Sequence, residues 1–249
     1  MIDTDRCVEP TPGPTAAMPP PVLVEHDGFL VVRDDLLLGG SKVRAAVHCL
    51  DGYDEWVYAG PAQGYAQVAL AVACEMLGKR ATFFTAKRNE PTSPSRLALA
   101  HGLNLAEVPY GRLSVVRARA RKYVEQAGPH CAPLIGMGFA LPGARVHLAA
   151  VARAVPVNPT EVWVACGSGV LASALHDAWP HAVVHAVSVG MEPTALDPAC
   201  VRHDAPEPFS GEATGPLPPY PSPVTYDAKV WRFVLEQATP GALVWNVAG

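Results

Sequence analysis

The chain predicts an α/β fold of parallel sheets covered by helices, and three observations carry that expectation. Short apolar runs alternate along it with segments whose apolar residues recur at helical spacing. Hydrophobic residues make up 49% of the 249 positions and charged residues 17%, enough for one substantial core with a smaller lobe folded against it. Twenty-six prolines and 21 glycines imply many connecting loops.

Taken in order, residues 1–21 read as a flexible arm, because Pro10, Pro12, Pro14, Pro19, Pro20 and Pro21 deny it helix and sheet hydrogen bonds. Strands are expected at 22–25 and 28–33 around a His-Asp-Gly turn, then a helix over 42–50 and a strand over 55–59. The alternation continues with helix 66–77, strand 81–85, helix 94–101, strand 106–108 and helix 113–126. A short strand at 133–135, helix 144–154, strand 161–165, helix 170–179 and strand 185–189 follow. Residues 192–223 read as a long irregular loop near the site, before helix 229–237 and a terminal strand 242–246. Residues 22–249 therefore read as the main domain, with a small lobe inserted at about 50–145.

The 19 basic and 23 acidic residues read as well mixed, so no basic stripe argues for a nucleic-acid backbone, although a local basic patch stays open. Six cysteines, at 7, 49, 74, 131, 166 and 200, lack the close pairing of zinc or redox sites and read as reduced thiols. The proline-rich, acidic N-terminus is unlike a signal peptide, and no run of about 18 apolar residues exists to cross a membrane. A cytoplasmic protein, of a bacterium or of a cell infected by a virus, is the expectation.

Four stretches carry the chemistry. In Arg33-Asp34-Asp35-Leu36-Leu37-Leu38-Gly39-Gly40-Ser41-Lys42-Val43-Arg44, two glycines permit a tight turn before Lys42, and the helix start presents free N–H groups to an anion. Alone, such a lysine is more often a surface residue or a phosphate contact. In Gly60-Pro61-Ala62-Gln63-Gly64-Tyr65, small neighbours let a flat ligand lie close, Gln63 is placed to bond a ring oxygen, and the helix start suits a carboxylate; an ordinary turn is the alternative. Cys166-Gly167-Ser168-Gly169-Val170 runs from strand to helix as a phosphate cradle, with a Rossmann nucleotide site as competitor. Tyr226-Asp227 stands before a helix, where Asp227 could be a cap.

Together the four resemble fold-type II pyridoxal-phosphate enzymes (the tryptophan synthase β-like superfamily), most closely the branch of aminocyclopropane-carboxylate deaminase and D-cysteine desulfhydrase. The branch's Gly-Gly-Asn-Lys is matched at 39–42 except that Ser41 replaces asparagine. Looser matches are Val108-Pro109-Tyr110-Gly111, a degenerate glycine-rich stretch at 136–144, and Tyr226-Asp227-Ala228-Lys229 for Tyr-Glu-Gly-Lys. Departures are Gln63 where the branch has Ser-Asn-His, and Val170 and Leu171 where glycine and threonine are usual. The chain is short for the family, which implies a reduced small domain.

The resemblance implies pyridoxal 5'-phosphate as cofactor, Lys42 as its Schiff-base lysine, and Ser41, Gln63, Gly167, Ser168, Gly169 and Asp227 as cofactor-binding residues. It places Tyr226 as a catalytic acid or base, Pro61, Ala62, Gly64 and Tyr65 around the substrate, no metal, and a homodimer. The implied activity is that of a lyase at Cα of an amino-acid-like substrate, by decarboxylation or by elimination and deamination. Shortness and the altered loops suggest a bulky substrate, an amino acid attached to a nucleobase as in phage DNA hypermodification. A classical small-amino-acid deaminase or desulfhydrase, and a non-catalytic binder of the cofactor or of a nucleotide, are the alternatives.

Overall fold

The structure is a computed structural model that describes residues 18–109 and 111–248. Most of the 1–21 arm, and Tyr110 of the 108–111 stretch, lie outside the described residues. Two sheets organise the chain. The larger has six strands in the order β1 (Leu23–His26), β2 (Phe29–Arg33), β9 (Leu243–Asn246), β6 (Glu161–Cys166), β7 (Val183–Ser188) and β8 (Val201–Asp204). All neighbours are parallel except β1 and β2, a hairpin turning at Asp27 and Gly28, both at positive φ. The smaller sheet is parallel and holds β3 (Glu55–Ala59), β4 (Arg80–Ala86) and β5 (Asn104–Val108) in sequence order.

Strand alternation explains the layering. Val162, Val164 and Cys166 of β6 face one side and pack with Leu175 of α6 (Val170–Ala178), with Trp179 just after it, and with Ala152 of α5 (Ala144–Arg153). Trp163 and Ala165 face the other side, against Val230, Trp231 and Val234 of α7 (Ala228–Gln237). In the small sheet, Trp56 and Tyr58 join a core with α1 (Ser41–Cys49) and α2 (Ala66–Met76), while Val57 and Ala59 pack on Val116 and Ala120 of α4 (Leu113–Ala127). Each such fully buried aliphatic side chain contributes about 1.5–3 kcal/mol. Helix α3 (Ser93–Ala100) begins at a Thr92 cap that accepts from the Ser95 N–H, with Pro94 in its first turn.

Two expectations need correction. Residues 133–135 form no strand: Ala132 and Ile135 donate to Glu55 and Val57 carbonyls, and the segment touches the edge of β3 through one isolated bridge at Cys131. The 192–223 segment is not wholly irregular, because it contains β8, the edge strand of the large sheet. The described cysteines, 49, 74, 131, 166 and 200, are free thiols. No helix among the described residues is long and apolar enough to cross a membrane.

Candidate active site

The Arg33–Arg44 stretch folds as it does because Asp34 is buried without exposure and collects four donors. It accepts from Ser41 Oγ at 2.6 Å, Arg44 Nε at 2.8 Å, Arg44 Nη2 at 2.8 Å and Trp245 Nε1 at 3.2 Å. The carboxylate thus locks the first turn of α1 to β9. Asp35 is gripped by Arg33 and by Asn246 Nδ2. Gly40, at φ 64°, brings α1 against the chain end: a Cβ there would lie 2.1 Å from the Val247 carbonyl oxygen, which accepts from the Ser41 N–H at 3.0 Å. The outcome is a fixed position for Lys42, one residue into α1.

Lys42 lines a cavity together with Ser41, Gly138, Phe139, Gly167–Gly169, Val170, Leu171 and Tyr226. Its Nζ lies 5.8 Å from the centroid of the Tyr226 ring. Burial pulls the amine below its usual range, and only the nearby Asp227 carboxyl opposes this. Asp227 is 5% exposed and its side chain does not cap α7. One oxygen accepts from the Val247 N–H at 3.1 Å, while Oδ2 is buried without a hydrogen-bond partner. Desolvation pushes this carboxyl up to about 7, against the Val247 N–H, Lys42 and the Ala248 N–H, which lower it. A buried carboxylate oxygen with no donor is costly, and a donor arriving from the cavity side would relieve it.

The turn at 167–169 closes the cavity's other end. Gly169 is left-handed at φ 95° and precedes α6, whose first N–H groups lack intrahelical acceptors. The 195–197 segment braces it. Ala195 N–H donates to the Ser168 carbonyl, Ser173 Oγ bonds Ala195 and Asp197, and Arg145 bridges Asp177 and Asp197. A Cβ on Gly169 would sit 2.5 Å from Leu196 N. The Tyr226 hydroxyl accepts from the Gly167 backbone N–H, and burial holds that phenol well above its usual range, so it stays protonated. Burial also pushes the neighbouring Cys166 thiol up to about 12, an inert core group.

The structure thus brings Ser41, Lys42, Gly167, Ser168, Gly169 and Tyr226 to one cavity, with Asp227 behind it. It leaves Pro61, Ala62, Gln63, Gly64 and Tyr65 outside that lining, and Gln63 is exposed. The Ser41 hydroxyl is committed to Asp34 and Trp245, so Ser41 borders the cavity while its polar atom serves the scaffold. The 61–65 loop is held instead by buried Gln67, whose Nε2 donates to Ala62 O at 2.6 Å and Gly64 O at 3.0 Å, with Thr92 adding a bond to Ala62 O. Lys229, the last residue of the Tyr226–Lys229 motif, lies outside the cavity lining too: it is 1% exposed and donates to the carbonyls of Val189 and Pro208.

Three residues at the site escaped sequence reasoning. Tyr58 of β3 bonds through its hydroxyl to the backbone of Gly138 and Phe139, and its ring packs edge-on against Phe139 with centroids 5.5 Å apart. Phe139 is held at φ 63°, a strained position for a bulky side chain at the cavity wall. Arg117 of α4 donates to Ala59 O at 3.3 Å beside Tyr58. The glycine-rich stretch at 136–144 was a sequence signal for Gly138 and Phe139; nothing local marks the other two.

No family model and no curated protein matches the chain. Solved structures do match. A homologue of ACC deaminase superposes with a TM-score of 0.74 at 16% identity, covering 88% of this chain and 84% of that one. Diaminopropionate ammonia lyase of Escherichia coli gives 0.67 at 15% identity, covering 94% and 84%. The threonine deaminase of T.th. gives 0.62 at 16%, covering 89% and 87%. The chain therefore shares the fold of these enzymes, known as fold-type II.

Proposed function

We propose that this chain is a pyridoxal-phosphate lyase acting at Cα of an amino-acid substrate. The observation that carries the reading is the desolvated Lys42 amine in the cavity with, behind the lining, an Asp227 carboxyl whose buried Oδ2 has no hydrogen-bond partner. A protonated ring nitrogen is the donor that oxygen lacks, and the free N–H groups at the start of α6, with Ser168, suit a phosphate dianion without needing a cationic side chain. The donor set fits the cofactor. Bound there, it supplies an electron sink for the pair released at Cα.

The chain's own residues would divide the remaining work. Asp227 holds a proton on the ring nitrogen. Lys42, whose amine burial makes easier to deprotonate, would hold the cofactor and would take or return a proton at Cα. Tyr226 donates from its high-pKa hydroxyl. Phe139, Leu141, Val170 and Leu171 exclude water. The neighbours named a deaminase homologue, an ammonia lyase and a threonine deaminase favour loss of ammonia. Decarboxylation is the second reading, favoured by the 61–65 loop: with it outside the cavity lining, no carboxylate grip is built there.

The test is spectroscopic and chemical. Purified protein given pyridoxal phosphate should show a visible band that borohydride bleaches and that Lys42→Ala lacks. A panel of free and conjugated amino acids, with products identified by mass, then separates ammonia from carbon dioxide release. A band with no product from any substrate would favour the non-catalytic binder, and bound nucleotide with no band would favour the Rossmann alternative.

A further inference from the structure

Charge is spread unevenly over this fold, which corrects the well-mixed reading of composition. Residues 79–122 hold ten lysines and arginines against two glutamates, while the rest of the chain holds nine against 21 acidic residues. Lys87 and Arg88 follow β4, Arg112 immediately precedes α4, and Arg117, Arg119, Arg121 and Lys122 lie on α4. All but the half-buried Arg117 are exposed, and none of the seven forms an ion pair with a carboxylate among the described residues. Arg117 and Arg121 stand four apart on one helix, where like charges repel. Unpaired cations gathered on one lobe of an otherwise acidic protein repel one another until an anion neutralises them.

The basic lobe adjoins the cavity wall without lining the cavity. Lys87, Arg88 and Arg112 sit at the carboxyl ends of β4 and β5, the edge at which open α/β sheets take ligands. Arg117 bonds the last residue of β3, beside Tyr58, whose hydroxyl bonds the Gly138 and Phe139 backbone of the cavity wall. From Arg112 to Lys122 the basic stretch of α4 extends about 15 Å, room for roughly four nucleotides at about 3.4 Å per step, with Lys87 and Arg88 beyond it. Exposed large apolar residues on α4 are Leu113 and Val115, both in its first turn, and no tryptophan or phenylalanine is exposed among the described residues. A membrane anchor would need more.

We infer that this lobe docks the sugar-phosphate backbone of a nucleic acid and that the amino-acid substrate is carried on a nucleobase delivered to the Lys42 cavity. The second half of this inference rests on the lyase reading; the docking surface does not. The test uses the full chain loaded with cofactor and a labelled DNA oligonucleotide, read by fluorescence anisotropy between 50 and 200 mM salt. Binding should weaken with salt along a log–log slope on the order of −4 to −6, as expected for five or six neutralised phosphates. The variant R119E/R121E/K122E should bind at least tenfold more weakly with a shallower slope while keeping the cofactor band, and Lys42→Ala should bind as the parent does. An oligonucleotide bearing an amino acid on one base should be processed faster than the free amino acid.

Salt-insensitive or absent DNA binding, equal binding by the triple variant, or capture by phosphatidylserine vesicles in place of DNA would overturn the inference. The cofactor band, read in the same samples, keeps the two readings apart: a band without DNA binding overturns the inference and leaves the lyase reading standing, and DNA binding without a band overturns the lyase reading and with it the nucleobase-borne substrate, leaving the docking surface standing.

Discussion

Asp227→Asn is the substitution that most directly weighs the buried carboxyl, and its effect can be worked out for the cofactor-free protein. Burial raises the folded carboxyl from 3.8 to about 7, whereas the unfolded chain ionises near its ordinary value. Between about pH 4 and pH 7 the folded state therefore holds a proton that the unfolded state has lost, and stability falls as pH rises across that window. About three pH steps at ~1.4 kcal/mol each give about 4 kcal/mol. Asparagine cannot ionise, so its profile lacks this fall. His147, His185 and His203, all depressed by burial, slope the opposite way, but they are common to both proteins and cancel in the difference. Urea unfolding followed by far-UV circular dichroism from pH 4 to pH 8 measures it. A wild-type-minus-variant difference that stays constant within about 1 kcal/mol would refute the assignment of Asp227 as an unpaired buried acid. Saturating pyridoxal phosphate should flatten the wild-type fall by supplying the missing donor.

Other substitutions test the scaffold. Asp34→Ala strands the buried Arg44 guanidinium and should cost about 3–5 kcal/mol, read as a lowered Tm, with the further change Arg44→Met recovering part of the loss. Lys229→Met removes two hydrogen bonds, to the carbonyls of buried Val189 and of Pro208; a loss of about 1–3 kcal/mol and faster proteolysis within residues 190–210 are expected, with the cofactor band retained. Gly40→Ala puts a methyl 2.1 Å from Val247 O at φ 64°, so α1 must shift, and cofactor affinity should fall with stability. Unchanged affinity in Gly40→Ala would mean that the position of Lys42 does not depend on that contact.

Much of this was legible in the chain because period and punctuation agreed. Two glycines precede Lys42, strand β6 alternates Val162, Trp163 and Val164, and the expected helices begin within a residue or two of those observed. Strand β8 was missed because Val201, Arg202, His203 and Asp204 lie on a largely exposed edge with no apolar alternation to read. The 133–135 segment looked like a strand because its residues are apolar, yet its pairing to β3 is too broken to make a ladder. Gln63 drew attention through its small neighbours, whereas the amide that organises that loop is Gln67, hidden inside the helical period of α2. Tyr58 reads in sequence as one more core aromatic; its hydroxyl is committed only through residues 80 positions later. The basic face was invisible to composition because the acidic remainder of the chain cancels it.

The central claim is a covalent link at position 42. Protein reduced with borohydride in the presence of pyridoxal phosphate, digested and mapped by mass, should carry a phosphopyridoxyl group on the peptide that contains Lys42, at close to one per chain. A label spread over surface lysines, or fixed on another residue while Lys42 stays unmodified, would contradict it.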